Sequence, residues 1–245
     1  MVRAVMLPPP PLLPDHGPVP KPALLLDFDG TLVEIAPRPD AVLVPPELPG
    51  LLLRLAGRCG GALAVVSGRP LADLDHFLPV PIAKAGDHGA AIRADPAGPP
   101  ELPDLPTPPA RWRELAEALA ARHPGALVES KTHGFVLHYR LAPEAGPPAR
   151  DLLAALVTET PERFTLLEAR MAWEVRPRGP SKASAVRRLM QRPPFEGRTP
   201  VFIGDDVTDE AGMAAARAMG GHGFRLQDAF GEPAALRAWL AEAAG

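Results

Sequence analysis

Apolar residues fall into short unbroken runs, and each run ends on polar ones. Ala23-Leu24-Leu25-Leu26 runs into Asp27, Ala62-Leu63-Ala64-Val65-Val66 into Ser67-Gly68-Arg69, and Val201-Phe202-Ile203 into Gly204-Asp205-Asp206. A continuous apolar run this short predicts a strand buried on both faces, as in a parallel sheet. Helical stretches are predicted between and after these runs, over Leu48 to Arg58, Leu71 to Phe77, Ser181 to Gln191, Glu210 to Met219 and Pro233 to Ala243. Strands alternating with helices imply an α/β core, a parallel sheet covered on both faces. Such sheets bind ligands beyond the C-terminal ends of their strands, so the three polar strand ends are expected to share one crevice.

From about Thr107 to Arg176 the pattern changes. Trp112, Leu115 and Leu119 mark one face of an amphipathic helix over Arg111 to Arg122, followed by strands at Ala126 to Lys131 and Phe135 to Leu141 around a Thr132-His133-Gly134 turn. A second helix, Pro148 to Thr158, and a second strand pair, Phe164 to Ala169 and Met171 to Val175, repeat the order. This is a small α+β unit inserted in the core. Proline-rich connections, Pro96 to Pro109 on entry and Arg176 to Pro180 on exit, read as linkers. The expected organisation is a core of residues 22–106 and 177–245, a cap of residues 107–176, and a disordered proline-rich tail over residues 1–21.

Composition narrows the class of function. A net charge of -3 gives no basic field for a nucleic-acid partner. The single cysteine, Cys59, permits no internal disulfide, and no apolar stretch approaches the ~20 residues that span a bilayer. A cytoplasmic monomer acting on a small molecule is the expectation. Among 26 basic residues only four are lysines, Lys21, Lys84, Lys131 and Lys182, which directs attention to places where a compact ammonium is required.

The chemistry concentrates at the strand ends. Asp27-Phe28-Asp29-Gly30-Thr31-Leu32 sets two carboxylates two residues apart, which suits a nucleophile beside a general acid and base with Mg2+ holding them against phosphate. Ser67-Gly68-Arg69 offers a hydroxyl and backbone amides to phosphate oxygens, although the same residues also make an ordinary turn and helix cap. Gly204-Asp205-Asp206-Val207-Thr208-Asp209-Glu210 crowds four carboxylates into six residues, a repulsion that a divalent cation would relieve. A solvated acidic helix start is the plainer reading of that run alone. Lys182 lies near a helix start, where the macrodipole disfavours a cation.

In this order the four elements resemble the haloacid dehalogenase superfamily of phosphatases. The resemblance implies a Rossmann-like core in which Asp27 attacks phosphorus while Asp29 protonates the leaving oxygen and then deprotonates water. Ser67 and Lys182 would hold phosphate oxygens beside Gly68 and Arg69. Mg2+ would be bound by Asp27, the backbone carbonyl of Asp29 and Asp205, with Asp206 and Asp209 in support. One departure is Ala183, which follows Lys182 where the superfamily usually has glycine.

The long insertion between Arg69 and Lys182 matches members with an α+β (C2) cap. Within that class the runs Ala85 to Ala90, Val128 to Lys131, Leu137 to Arg140 and Trp173 to Pro177 look like the trehalose-6-phosphate phosphatase family. The resemblance implies sugar recognition or cap closure by Glu129, Lys131, Arg140, Arg170 and Glu174, with His88 in a core loop facing the crevice. His138, like His88, reads first as a buried, hydrogen-bonded structural histidine. Sucrose phosphate, mannosylglycerate phosphate or a mononucleotide as substrate, and a sensor without turnover, are the alternatives.

Overall fold

The computed structural model describes residues 22–102 and 104–245; the tail expected over residues 1–21 lies outside them. Two compact units are present among the described residues, one formed by residues 22–102 and 180–245, the other by residues 104–179. The sequence-based boundaries stood at 106/107 and 176/177.

The first unit contains β1 (Pro22–Leu26), α1 (Leu48–Arg58), β2 (Leu63–Val66), α2 (Leu71–Phe77), β3 (Ala83–Gly86) and β4 (Ala91–Arg93). The second is built from α3 (Ala110–Ala120), β5 (Leu127–Lys131), β6 (Gly134–His138), α4 (Gly146–Val157), β7 (Phe164–Ala169) and β8 (Ala172–Pro177). The chain then returns to the first with α5 (Lys182–Met190), β9 (Thr199–Gly204), α6 (Val207–Ala218), β10 (His222–Arg225), α7 (Leu226–Ala229) and α8 (Pro233–Ala244).

The first unit is the expected α/β core. Its sheet runs β10-β9-β1-β2-β3-β4 and is parallel apart from the β3–β4 edge pair. Strand β1 is fully apolar after Pro22 because neighbours pack on both its edges and both its faces. Leu26 lies level with Val65 on β2 and Ile203 on β9, so these three strands end side by side. The helix α1 buries Leu48, Leu51, Leu52 and Leu55, a spacing that puts them on one face. Cys59, buried at its end, forms no disulfide among the described residues.

Three strands escaped the sequence reading. Ala83-Lys84-Ala85-Gly86 is a poor strand sequence, and it carries a buried lysine whose Nζ is 2.7 Å from Asp75 and 2.6 Å from the Leu78 carbonyl. The antiparallel edge β4 supplies Arg93 to the same Asp75 carboxylate. On the other edge, β10 is polar and only partly buried. The helix α6 begins three residues before the expected Glu210, because Asp206 caps it and Asp209 closes a reciprocal capping box.

In the second unit an all-antiparallel sheet, β5-β6-β8-β7, has one face covered by α3 and α4. Phe135, Leu137, Phe164 and Val175 from the strands meet Trp112, Leu119 and Leu153 from the helices. The rings of Trp112 and Phe164 meet edge on at 5.4 Å. Side chains alternate across a strand, so the opposite face carries Glu129 and Lys131 from β5, Val136 and His138 from β6, and Glu174 and Arg176 from β8. Among the described residues no helix is long and apolar enough to cross a membrane.

Candidate active site

The site of the first unit grows from the register of three parallel strands. Asp27 follows β1 and donates its amide N–H to the Ile203 carbonyl of β9 at 2.9 Å, which fixes the carboxylate beside the β9 tip. One carboxylate oxygen from each of Asp27, Asp205 and Asp209 lies within 4.8 Å of the other two. All three residues are buried, and Asp209 is wholly so.

Gly30 makes the convergence possible. Its φ of +81° suits glycine, and a Cβ there would stand 2.3 Å from Asp205 Oδ2. Gly204 does the same for Asp209, whose Cγ would lie 2.3 Å from an added Cβ. The Thr31 hydroxyl, fully buried, points to Asp205 Oδ1 at 3.4 Å.

Lys182 is the first residue of α5, which Ser181 and Ser184 cap reciprocally. Its ammonium is buried, 2.6 Å from Asp27 Oδ1 and 2.5 Å from Asp209 Oδ1. A cation at a helix N-terminus opposes the macrodipole, and two carboxylates offset that cost. Burial alone would depress the lysine's pKa, but the charges of Asp27 and Asp209 carry it above its ordinary value, so it stays charged. Asp209 Oδ2 accepts the amide N–H groups of Asp205 at 3.2 Å and Asp206 at 3.0 Å, tying the acidic loop to the lysine.

One ammonium among three carboxylates leaves excess negative charge. Burial, with the Asp209 charge next, pushes Asp27 up to about 7 despite Lys182. Burial and then the Asp27 charge likewise push Asp205 up to about 7. Clustered carboxylate oxygens whose ionisation is penalised by one another form a donor set for a hard divalent cation. Asp206 is outside the cluster, because its side chain is spent on capping α6 through the Val207 amide.

The β2 tip is a tight turn. The Ser67 hydroxyl oxygen accepts the Arg69 amide N–H at 3.1 Å, and Pro70 has no N–H, so fewer backbone donors are open to an anion than the sequence suggested. Ser67 can still donate its own hydroxyl proton. Asp87 and His88 both adopt positive φ, held by hydrogen bonds from the Asp87 amide N–H to the Arg69 carbonyl and from the His88 amide N–H to the Ser67 carbonyl. That strained turn lays the His88 ring over Gly68, where an added Cβ would be 2.7 Å from the ring.

The side chain of Asp29 turns to Arg69, not to the acidic cluster. Arg69 Nε and Nη2 each reach one Asp29 oxygen at 2.7 Å. This fork-to-fork pair was invisible in the sequence, where the two residues are 40 positions apart.

In the second unit Glu129 lies between the Lys131 ammonium and the His138 ring on the polar sheet face. Lys131 Nζ meets its Oε1, and His138 Nε2 is 2.7 Å from its Oε2. Burial pushes the Glu129 carboxyl up, but the His138 hydrogen bond and the Lys131 charge prevail and hold it down at about 2. Glu174 is buried two strands away, across Val136. Arg140 follows β6 and Arg170 occupies the β7–β8 turn, both at the sheet end remote from the Thr132-His133 turn. The sequence reading passed over Arg176, which shares the face with Glu174; its Nε is buried without a hydrogen-bond partner among the described residues. Alternation along Trp173 to Pro177 was the available signal.

Comparison with known proteins bears on this arrangement. The Trehalose-phosphatase family profile matches residues 25–224. The chain is 41% identical over 206 residues to the trehalose-6-phosphate phosphatase of Escherichia coli K12, covering 83% of this chain and 77% of that one. It is 38% identical over 205 residues to a probable trehalose-phosphate phosphatase of Sinorhizobium fredii, with the same coverage. In fold it is similar to the C-terminal domain of the Candida albicans trehalose-6-phosphate phosphatase, with a TM-score of 0.74 and 20% identity over 93% of each chain. The profile takes in every residue described at the three strand tips and on the polar sheet face, and the chain belongs to the trehalose-phosphatase family.

Proposed function

We propose that this protein hydrolyses trehalose 6-phosphate to trehalose and phosphate through a covalent aspartyl phosphate on Asp27. The observation that carries the reading is the buried Asp27 carboxylate, held by Lys182 at 2.6 Å and clustered with Asp205 at the tips of adjacent parallel strands. Membership of the family and the activity for which its relatives are named support this substrate.

Asp27 and Asp205 are the residues to hold Mg2+, with Asp209 behind them; when bound, the ion neutralises negative charge on the phosphoryl group and on the carboxylates. The chain's own groups do the rest. An Asp27 oxygen forms a bond to phosphorus as the bond from phosphorus to the sugar oxygen breaks, and Asp29 gives that oxygen its proton. Asp29 then takes a proton from the water that hydrolyses the phosphoaspartate. Lys182 keeps two of its three N–H donors on Asp27 and Asp209, leaving one for a phosphate oxygen beside the Ser67 hydroxyl. Transfer of this kind depends on positioning and charge neutralisation more than on covalent effort elsewhere in the protein.

Sugar recognition we assign to the polar sheet face of the second unit, where Glu129 and Lys131 are charged and fixed, with Glu174, Arg140 and Arg170 added by the family resemblance. Ionised groups make strong directional hydrogen bonds to hydroxyls. The test is phosphate release from a panel of esters: trehalose 6-phosphate, sucrose phosphate, mannosylglycerate phosphate and a mononucleotide. Trehalose 6-phosphate should have the largest kcat/KM, and faster turnover of another member would reject the assignment. Binding without release of phosphate would mark a sensor.

A further inference from the structure

Arg69 is built as a fixed post. Its guanidinium carbon lies 4.8 Å from the ring centroid of Phe77 and 5.6 Å from that of Phe28, within cation–π range of both. Nη1 donates to the Pro39 carbonyl at 2.9 Å, and the residue is only 8% exposed. Asp29, by contrast, keeps 35% of its side chain exposed. The two prongs that would grip a phosphate, Nε and Nη2, are both taken by Asp29 at 2.7 Å. An arginine stacked, hydrogen-bonded to backbone and paired bidentately serves its carboxylate partner better than an anion arriving from solvent.

We propose that Arg69 is a positioning residue for proton transfer by Asp29, not a phosphate ligand. The inference rests on the reading of Asp29 as the proton donor. A half-buried carboxylate with no fixed partner samples several orientations, and a proton has to pass to one oxygen of the departing group. The fork fixes where the two Asp29 oxygens stand, because the guanidinium that holds them is itself held by two rings and the Pro39 carbonyl. Lysine cannot replace this, since a point charge has no second prong.

The test is kcat/KM across phosphate esters whose leaving groups range from nitrophenolate to sugar alkoxide, because this constant reports the step in which the leaving group departs. Nitrophenolate leaves without a proton and alkoxide does not. Arg69→Lys and Arg69→Ala should therefore lose about tenfold or more additional kcat/KM on the alkyl esters, the usual scale for misplacing a proton donor. Asp29→Asn should show the same selectivity more strongly, and Arg69→Ala in the Asp29→Asn background should add none. An equal loss along the whole ester series in both Arg69 variants, with Asp29→Asn selective, overturns this inference and leaves the acid–base role of Asp29 standing. Absence of selectivity in Asp29→Asn overturns that role and this inference together. Thermal unfolding of each variant separates a folding defect, which lowers all esters alike; Arg69→Lys keeps a cation over the two rings and decides the matter if the alanine variant does not fold.

Discussion

Lys182 Nζ and Asp27 Oδ1 stand 2.6 Å apart, although 155 positions separate them in the chain, and both side chains are almost sealed from solvent. The pair joins the tip of the central strand to the start of α5, and through Asp209 to the loop before α6. The same ammonium that orients the proposed nucleophile therefore also ties the core together around it.

Replacing Lys182 by Met leaves two buried carboxylates without their cation. Breaking a buried pair in this way costs about 3–5 kcal/mol. Asp27 already takes up protons near pH 7, so the unpaired acids can be neutralised by acid. The expected result is a large drop in melting temperature at about pH 8 that shrinks toward about pH 5.5. A drop independent of pH would show that the carboxylates are not the source of the penalty.

Stabilisation by Mg2+ should grow with pH. The carboxyls of Asp27 and Asp205 are pushed up to about 7, so in the absence of an ion the folded protein prefers them protonated, and stability is lost as pH rises through 7. The ion binds the ionised form and competes with those protons. The thermal shift produced by Mg2+ is expected to be small at about pH 6, to rise through 7 and to level off above about pH 8. A shift equal at both ends would contradict the assignment of these ligands.

On the polar sheet face, Glu129 predicts the opposite dependence. Its carboxyl is held at about 2 in the folded unit, so it contributes stability that is complete above its ordinary value of 4.5 and is lost as pH falls toward 2. Wild type should melt higher than Glu129→Gln at pH 6, and the gap should close as the pH is lowered through that window. A gap unchanged down to about pH 2.5 would mean that the ion pair with Lys131 and the bond to His138 add nothing.

Lys131→Ala is expected to reduce kcat/KM for trehalose 6-phosphate by about tenfold or more while leaving a small generic phosphate ester nearly untouched, because in the proposed reading only the sugar meets that side chain. Steady-state kinetics on the two substrates decide it, and equal losses would remove Lys131 from sugar recognition.

Much of this was legible in the chain. The strand tips at Asp27, Ser67 and Asp205 could be read because buried parallel strands are unbroken apolar runs, and the change to alternating strands after Thr107 marked the inserted unit. What stayed hidden depends on partners distant in sequence. For Lys182 taken alone a surface role and a site role stood level, since nothing local reveals that Asp27 and Asp209 neutralise it. The Arg69 fork on Asp29 is likewise a tertiary fact, and β3 was obscured by the buried charge of Lys84, which Asp75 satisfies. Asp206 was read as metal support, and its capping of α6 was the competing role that the same residues encode.

The most direct test of the account is to trap the protein in mid-turnover with trehalose 6-phosphate and Mg2+. Rapid quenching followed by borohydride reduction converts an aspartyl phosphate to homoserine, which mass spectrometry of the digested chain can locate. The account predicts the conversion at Asp27 and nowhere else, absent without substrate and absent in Asp27→Asn, which should not turn over. Steady hydrolysis with an unmodified residue 27 under the same quench, or near-normal rates in Asp27→Asn, would contradict it.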